Sequence, residues 1–184
     1  MTCIVGLTDG KTVTFGADSA TGMGEEIYTL KVHKAFARGP YLFGVCGSPR
    51  VGQILRFRME LPEPPATDLE PFLVRELVPV IRRALAEEGV AGSGQAILGE
   101  KTTILVGCRG QLWTICSDLT VVREVAYAAI GSGRLRAYGA LHALAAAGVE
   151  PARRRLELAL EAAAAYTANV RPPWTFVSGG ATAD

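Results

Sequence analysis

The chain has 184 residues, 49% of them hydrophobic, with 19 basic residues against 18 acidic ones and a formal charge of +1. That length suits one domain with a continuous core, and the balanced charge excludes the basic footprint of a nucleic-acid binder. No stretch approaches the roughly 18 unbroken apolar residues of a membrane span, and the opening MTCIVGLTDG lacks the basic n-region of a secretory signal, so a cytoplasmic protein is expected.

In chain order, Thr2 to Leu7 is rich in β-formers, Asp9-Gly10 is a turn signal, and Thr12 to Phe15 resumes the strand pattern. Gly16-Ala17-Asp18-Ser19 breaks the run. Ile27 to Leu30 and Tyr41 to Val45 read as further strands, with Gly39-Pro40 between them. After Cys46-Gly47-Ser48-Pro49 the period changes. Val51, Ile54, Leu55 and Phe57 predict a short helix capped by Ser48 with Pro49 in its first turn. Thr67-Asp68-Leu69-Glu70 has the form of a capping box, and Leu69, Phe72, Leu73, Leu77, Val80, Ile81 and Leu85 follow on one helical stripe. Pro79 predicts a bend or break in that helix. Gly89 to Gly99 reads as an exposed, mobile loop of small residues.

Strands return at Thr102 to Val106 and Leu112 to Cys116 around Gly107-Cys108-Arg109-Gly110, and Val121 to Ile130 supplies one or two more. Gly131-Ser132-Gly133 leads into two Ala/Leu-rich helices, 134–147 and 151–168, with Gly148 as a C-terminal cap and Pro151 in a first turn. Trp174 to Val177 is the last predicted strand. The order of strands, two helices, strands, two helices and strand favours antiparallel sheets over βαβ units. Two sheets face to face, each covered by helices, would bury all of it.

Four cysteines (Cys3, Cys46, Cys108, Cys116) sit in or beside apolar runs with no CxxC pair, and His33 and His142 are far apart. Buried free thiols and no metal site are expected. Arg153, Arg154 and Arg155 read as a solvated or interface face.

The chemistry starts at residue 2. Removal of an initiator Met before Thr2 would expose a hydroxyl nucleophile and an α-amine in one residue, and an α-amine titrates near pH 8. Such an amine accepts the hydroxyl proton where a lysine would stay charged. Asp18 follows Thr2 by sixteen positions and Lys34 follows Asp18 by sixteen. A lysine brought near Thr2 favours a neutral amine and lowers the cost of an alkoxide, and a carboxylate beside it holds that lysine charged.

On these residues the chain resembles the proteasome β-subunit and HslV peptidase family of N-terminal-nucleophile hydrolases. The likeness runs from Met-Thr-Cys-Ile-Val-Gly through Phe15-Gly16-Ala17-Asp18 to His33-Lys34-Ala35. It returns at Phe43-Gly44-Val45-Cys46-Gly47, at Ile104 to Gly107, and at Ala129-Ile130-Gly131-Ser132-Gly133. The resemblance implies an α+β, four-layer αββα sandwich over residues 2–178, with a flexible tail at 179–184. It implies Thr2 as nucleophile with its own amine as base, Lys34 to tune that proton, Asp18 to orient Lys34, and Ser132 to hold the amine. It further implies the Gly47 N–H as oxyanion donor and Val45 in the pocket for the side chain preceding the cleaved bond. Family members carry Asp-x-x-Ser near the end of the last long helix, where this chain has Thr167-Ala168-Asn169-Val170. Asn169 stands where the Asp would support the amine and lacks its charge, which brings the chain nearer the divergent bacterial proteasome homologues than HslV.

The implied activity is a threonine-type endopeptidase without cofactor, assembled as a ring or stacked rings of itself. It would be fed peptide or unfolded protein, with an ATP-dependent unfoldase as a possible partner. Two alternatives share the fold: a small-molecule amidase or acylase, and an inactive ring or scaffold subunit.

Overall fold

The computed structural model describes residues 1–23, 26–90, 97–99 and 101–180. Strands β1 (Cys3–Thr8) and β2 (Thr12–Ala17) form a hairpin at the expected turn, where the Asp9 carboxylate accepts the N–H groups of Lys11 and Thr12 at 2.8 and 2.6 Å. A short hairpin follows, β3 (Ala20–Met23) and β4 (Glu26–Thr29). Then come β5 (Ala35–Arg38), β6 (Tyr41–Cys46) and the helices α1 (Pro49–Phe57), α2 (Leu69–Phe72) and α3 (Val78–Glu87). The second half runs β7 (Thr103–Cys108), β8 (Gln111–Ile115), β9 (Val121–Glu124), β10 (Tyr127–Gly131), α4 (Arg134–Ala146), α5 (Ala152–Tyr166) and β11 (Thr175–Gly180).

The strands build two antiparallel sheets, β10-β1-β2-β11 and β5-β6-β7-β8-β9. Period-two alternation sorts their side chains into layers. On β6, Tyr41, Phe43 and Val45 turn outward to a core shared with Ile54, Leu73 and Ile81 of the first helical layer, whereas Leu42 and Cys46 turn inward. On β1, Cys3, Val5 and Leu7 meet Leu141, Leu156 and Leu160 of the second layer, while Ile4 joins Phe15, Leu105 and Leu112 between the sheets. The result is the expected αββα sandwich. Each fully buried Leu, Ile or Phe in it is worth about 1.5–3 kcal/mol of apolar transfer.

Several local expectations are corrected. Two four-residue strands, β3 and β5, were not legible, and the break after β2 is only Asp18-Ser19. Ser48 precedes α1 in extended conformation without a side-chain cap; its N–H is instead held by Thr102 Oγ1 at 3.2 Å. Asp68 adopts a left-handed conformation (φ 56°) and its side chain caps nothing. The interruption at Pro79 takes the form of a π-helical turn, Leu73–Leu77, just upstream, where the ladder widens before a residue with no N–H to give. Pro151 precedes α5 rather than opening it. Of the expected mobile loop, 91–96 lies outside the described residues, but Leu98 is buried and its N–H donates to the Ser117 carbonyl at 3.0 Å. The last strand continues beyond Val177 to Gly180, and 181–184 lie outside the described residues.

Among the described residues no helix is long and apolar enough to cross a membrane. The four cysteines are free, with Cys3, Cys46 and Cys108 buried and Cys116 half-buried. The arginine run is engaged: Arg154 pairs with Glu157, Arg155 with Glu150, and the Arg153 guanidinium lies 4.4 Å from the Phe176 ring centroid.

Candidate active site

Antiparallel order brings the start of one strand beside the ends of its neighbours. Thr2 stands just before β1, Asp18 just after β2, and Ser132 just after β10, all at one edge of the first sheet. In the second sheet, Lys34 precedes β5 and Gly47 follows β6. Backbone bonds extend the ladders to these positions: Asp18 N–H donates to the Cys3 carbonyl at 3.1 Å, Gly133 N–H to Thr2 at 3.3 Å, and Val45 N–H to Lys34 at 3.0 Å. The fold thus fixes the backbone of each residue before any side chain is considered.

The side chains then converge. Lys34 Nζ donates to Asp18 Oδ1 at 2.9 Å, to the Ala20 carbonyl at 2.6 Å and to the Met1 carbonyl at 3.2 Å. Thr2 Oγ1 donates to that same Met1 oxygen at 2.8 Å. The Thr2 N–H donates to Ser132 Oγ at 3.2 Å, and the Ser132 hydroxyl donates to the Thr2 carbonyl at 3.3 Å. Asp18 is completely buried and its carboxylate also accepts the N–H groups of Cys3 at 2.9 Å and Ala20 at 3.3 Å. Burial pushes the Asp18 carboxyl up from its ordinary value, with the Lys34 ammonium and the two backbone donors pulling against it. The Cys3 thiol beside Thr2 is pushed up to about 12 by burial and by the Asp18 charge, so it stays protonated at neutral pH.

Two glycines make room for this edge. Gly131 has φ 93°, and a Cβ there would collide with the Thr2 carbonyl. Gly47 has φ 94°, and a Cβ would lie 2.6 Å from the Lys101 carbonyl oxygen and from Thr102 Cα. No other residue type reaches these conformations without strain.

Thr2 and Gly47 sit in the walls of two cavities. The larger, about 1220 Å³, is an open cleft that includes Leu98, Thr102, Thr114, Glu124 and Arg134, with the Thr114 hydroxyl donating to Glu124 at 2.7 Å. The smaller, about 220 Å³, lies against Lys34, Phe36, Val45 and α1. The structure therefore brings Thr2, Asp18, Lys34 and Ser132 together, with Gly47 and Val45 on the cavity walls. Asn169 is elsewhere: its side-chain nitrogen stands against Gly22 on β3, and among the described residues no hydrogen bond joins it to Thr2 or Ser132. The Thr167 hydroxyl is buried without a hydrogen-bond partner among the described residues. Two participants were missed in the sequence. The Ala20 carbonyl carries no side-chain signal, and Thr102 hides in a strand approach. Arg56 on α1 was legible in principle, because Pro49, Gly52, Gln53 and Arg56 share one helical stripe.

Two facing antiparallel sheets between helical layers, with a threonine at the head of an inner strand, define a class: the chain has the N-terminal-nucleophile hydrolase fold. No sequence-family description matches the chain, and no curated protein matches it in sequence. Among solved structures, BPH from Thiobacillus denitrificans in complex with epoxomicin is similar at 20% identity and a TM-score of 0.81, over 98% of this chain and 100% of that one. Eukaryotic HslV from Trypanosoma brucei is similar at 17% identity and a TM-score of 0.68, over 97% and 99%. A Gly-1 mutant of Anbu from Hyphomicrobium sp. strain MC1 is similar at 17% identity and a TM-score of 0.71, over 98% and 82%.

Proposed function

We propose that the protein is a threonine-type endopeptidase that acts through Thr2 once Met1 is removed. The observation that carries this reading is that Thr2 Oγ1 and Lys34 Nζ both donate to the Met1 carbonyl oxygen, at 2.8 and 3.2 Å. That oxygen occupies the space between nucleophile and cation. Once it is gone, one lysine N–H is free to face the threonine hydroxyl, and the Thr2 nitrogen becomes an amine held by Ser132.

In this reading the Thr2 amine takes the hydroxyl proton as Oγ attacks the scissile carbonyl carbon. The Gly47 N–H donates to the developing oxyanion, a contribution of about 3–4 kcal/mol for one donor in comparable sites. The C–N bond breaks as the ammonium returns its proton to the leaving amine, and a water, deprotonated by the same amine, hydrolyses the Thr2 ester. Lys34, held charged by Asp18, keeps the amine neutral by repulsion. Asn169 supports the amine indirectly in this scheme, by packing against Gly22 on the strand that presents the Ala20 carbonyl. Val45 lines the pocket for the side chain preceding the cleaved bond.

The proteasome-like fold supports a homo-oligomeric ring or stacked rings, with peptides or unfolded chains as substrate and an ATP-dependent unfoldase as a supplier. Four free cysteines support a reducing, cytoplasmic location. The test is labelling with epoxomicin, an epoxyketone whose morpholine adduct requires the hydroxyl and the free amine of one residue. A chain mass beginning at Thr2 and an adduct on Thr2 that Thr2→Ala abolishes are expected. Peptide cleavage retained by Thr2→Ala would refute the mechanism. An adduct on a particle of about 19 kDa would favour the small-molecule amidase.

A further inference from the structure

The smaller cavity has a wall whose chemistry the catalytic scheme does not use. Pro49, Gly52, Gln53, Arg56 and Phe57 of α1 line it, following the i, i+3, i+4, i+7, i+8 pattern of one helix face. Val51, Ile54 and Leu55 turn the other way into the core. Across from that wall, Phe36 and Val45 are buried and give the cavity an apolar floor. The Arg56 guanidinium lies 4.1 Å from the Phe36 ring centroid and 5.9 Å from that of Phe57, and one of its nitrogens donates to the His33 carbonyl at 2.6 Å.

Charge is the telling feature. Among the described residues no aspartate or glutamate lines this cavity, and none pairs with Arg56. Lys34, which also lines it, is already matched by Asp18 at 2.9 Å. The cavity therefore offers one unmatched guanidinium over an aromatic and aliphatic floor. Desolvation pushes the Arg56 pKa down from its ordinary value, so an anion placed there relieves a real cost. A guanidinium has five donors in a planar fork, and one bond to His33 leaves others to grip a carboxylate.

We infer that Arg56 is a specificity residue, and that this cavity selects substrates with glutamate immediately before the cleaved bond. The inference rests on the peptidase reading above. The methylenes of the glutamate cover Val45 and Phe36 while its carboxylate meets Arg56. Glutamate is favoured over aspartate by reach: Arg56 lies two helical turns beyond Pro49, about 10 Å along the axis from the end of α1 next to Gly47.

Binding and turnover are tested separately. The Thr2→Ala protein is titrated with acetylated tetrapeptide amides ending in Glu, Leu or Lys. The Glu peptide binds about tenfold tighter than the Leu peptide at low salt, and the gap narrows as salt rises. The preference disappears in Thr2→Ala/Arg56→Gln and survives in Thr2→Ala/Arg56→Lys, which keeps the charge and controls for the lost His33 contact. Equal affinity for Glu and Leu peptides, or a preference that survives Arg56→Gln, overturns the inference whether or not the enzyme turns over. Coumarin-amide peptides are then given to the protein with an intact Thr2. The Glu-to-Leu ratio of kcat/KM falls about tenfold in Arg56→Gln. Arg56-dependent binding without any cleavage refutes the peptidase reading alone, and cleavage with no Arg56-dependent preference refutes the specificity alone.

Discussion

Lys34 Nζ lies 2.9 Å from Asp18 Oδ1, with the Lys34 side chain only 8% exposed and that of Asp18 not exposed at all. Sixteen positions and the two strands β3 and β4 separate them, so the contact is a product of the fold and not of local sequence. A buried pair costs little while both partners are present and much when one is removed. Lys34→Met is expected to destabilise the protein by about 3–5 kcal/mol, because it strands a buried carboxylate, and Asp18→Asn by less, because the amide resembles the neutral carboxyl that burial already favours. The double variant is expected to lose less than the sum of the two by about 1–3 kcal/mol. Urea denaturation of the four proteins measures this, and strictly additive losses would show that the two groups are not coupled.

The pH dependence follows from the raised pKa of Asp18, whose main cause is burial. Among the hydrogen-bond acceptors of Lys34 only the Asp18 carboxylate carries charge, so activity falls as pH drops through a midpoint above the ordinary aspartate value of about 3.9. Stability moves the opposite way for this group. A carboxyl whose folded pKa exceeds its unfolded one contributes stability below the unfolded value and loses it as pH rises through the folded value. The acid limb of kcat/KM is therefore expected at pH values where thermal unfolding shows no loss of structure. An acid limb that coincides with unfolding would assign it to global denaturation.

How much of this was readable in advance divides by the origin of each feature. Thr2, Asp18 and Lys34 stood out by residue type and by their sixteen-position spacing, whereas Ser132, and the four as a set, were legible only through the resemblance to a known family. The αββα layering was legible from the order of elements. What escaped is what depends on tertiary pairing alone. Ala35-Phe36-Ala37-Arg38 has little strand propensity and becomes β5 only because β6 supplies Leu42 and Gly44 as partners. The Ser48 cap failed because Thr102 Oγ1 takes the Ser48 N–H, and the Thr67–Glu70 capping box failed because Asp68 enters the helix in a left-handed conformation.

The two glycines at the site edge give a test of geometry. In Gly131→Ala the new methyl collides with the Thr2 carbonyl and the φ of 93° is unfavourable for alanine. The expected result is a loss of about 1–3 kcal/mol of stability together with displacement of Thr2, seen as failure to react with an epoxyketone under conditions where the fold persists by circular dichroism. In Gly47→Ala the clash falls on the Lys101 and Thr102 backbone instead. That variant is expected to retain Thr2 in place and to lose kcat by about a hundredfold or more through the oxyanion donor. A Gly47→Ala protein with unchanged kcat would remove Gly47 from the site.

Gly52 offers the opposite kind of substitution. It lies inside α1, and a Cβ there would stand 3.7 Å from Val45 Cβ, an ordinary contact with no overlap. Gly52→Ala therefore gains helix propensity of about 0.5–1 kcal/mol while its methyl takes space from the 220 Å³ cavity. The expected outcome is a protein at least as stable as the parent that discriminates against bulky side chains before the cleaved bond. Differential scanning calorimetry and a panel of peptides ending in Ala, Leu and Phe measure both effects. A stable Gly52→Ala protein whose relative kcat/KM values across that panel match the parent would mean that the substrate side chain enters the open cleft on the other side of Thr2.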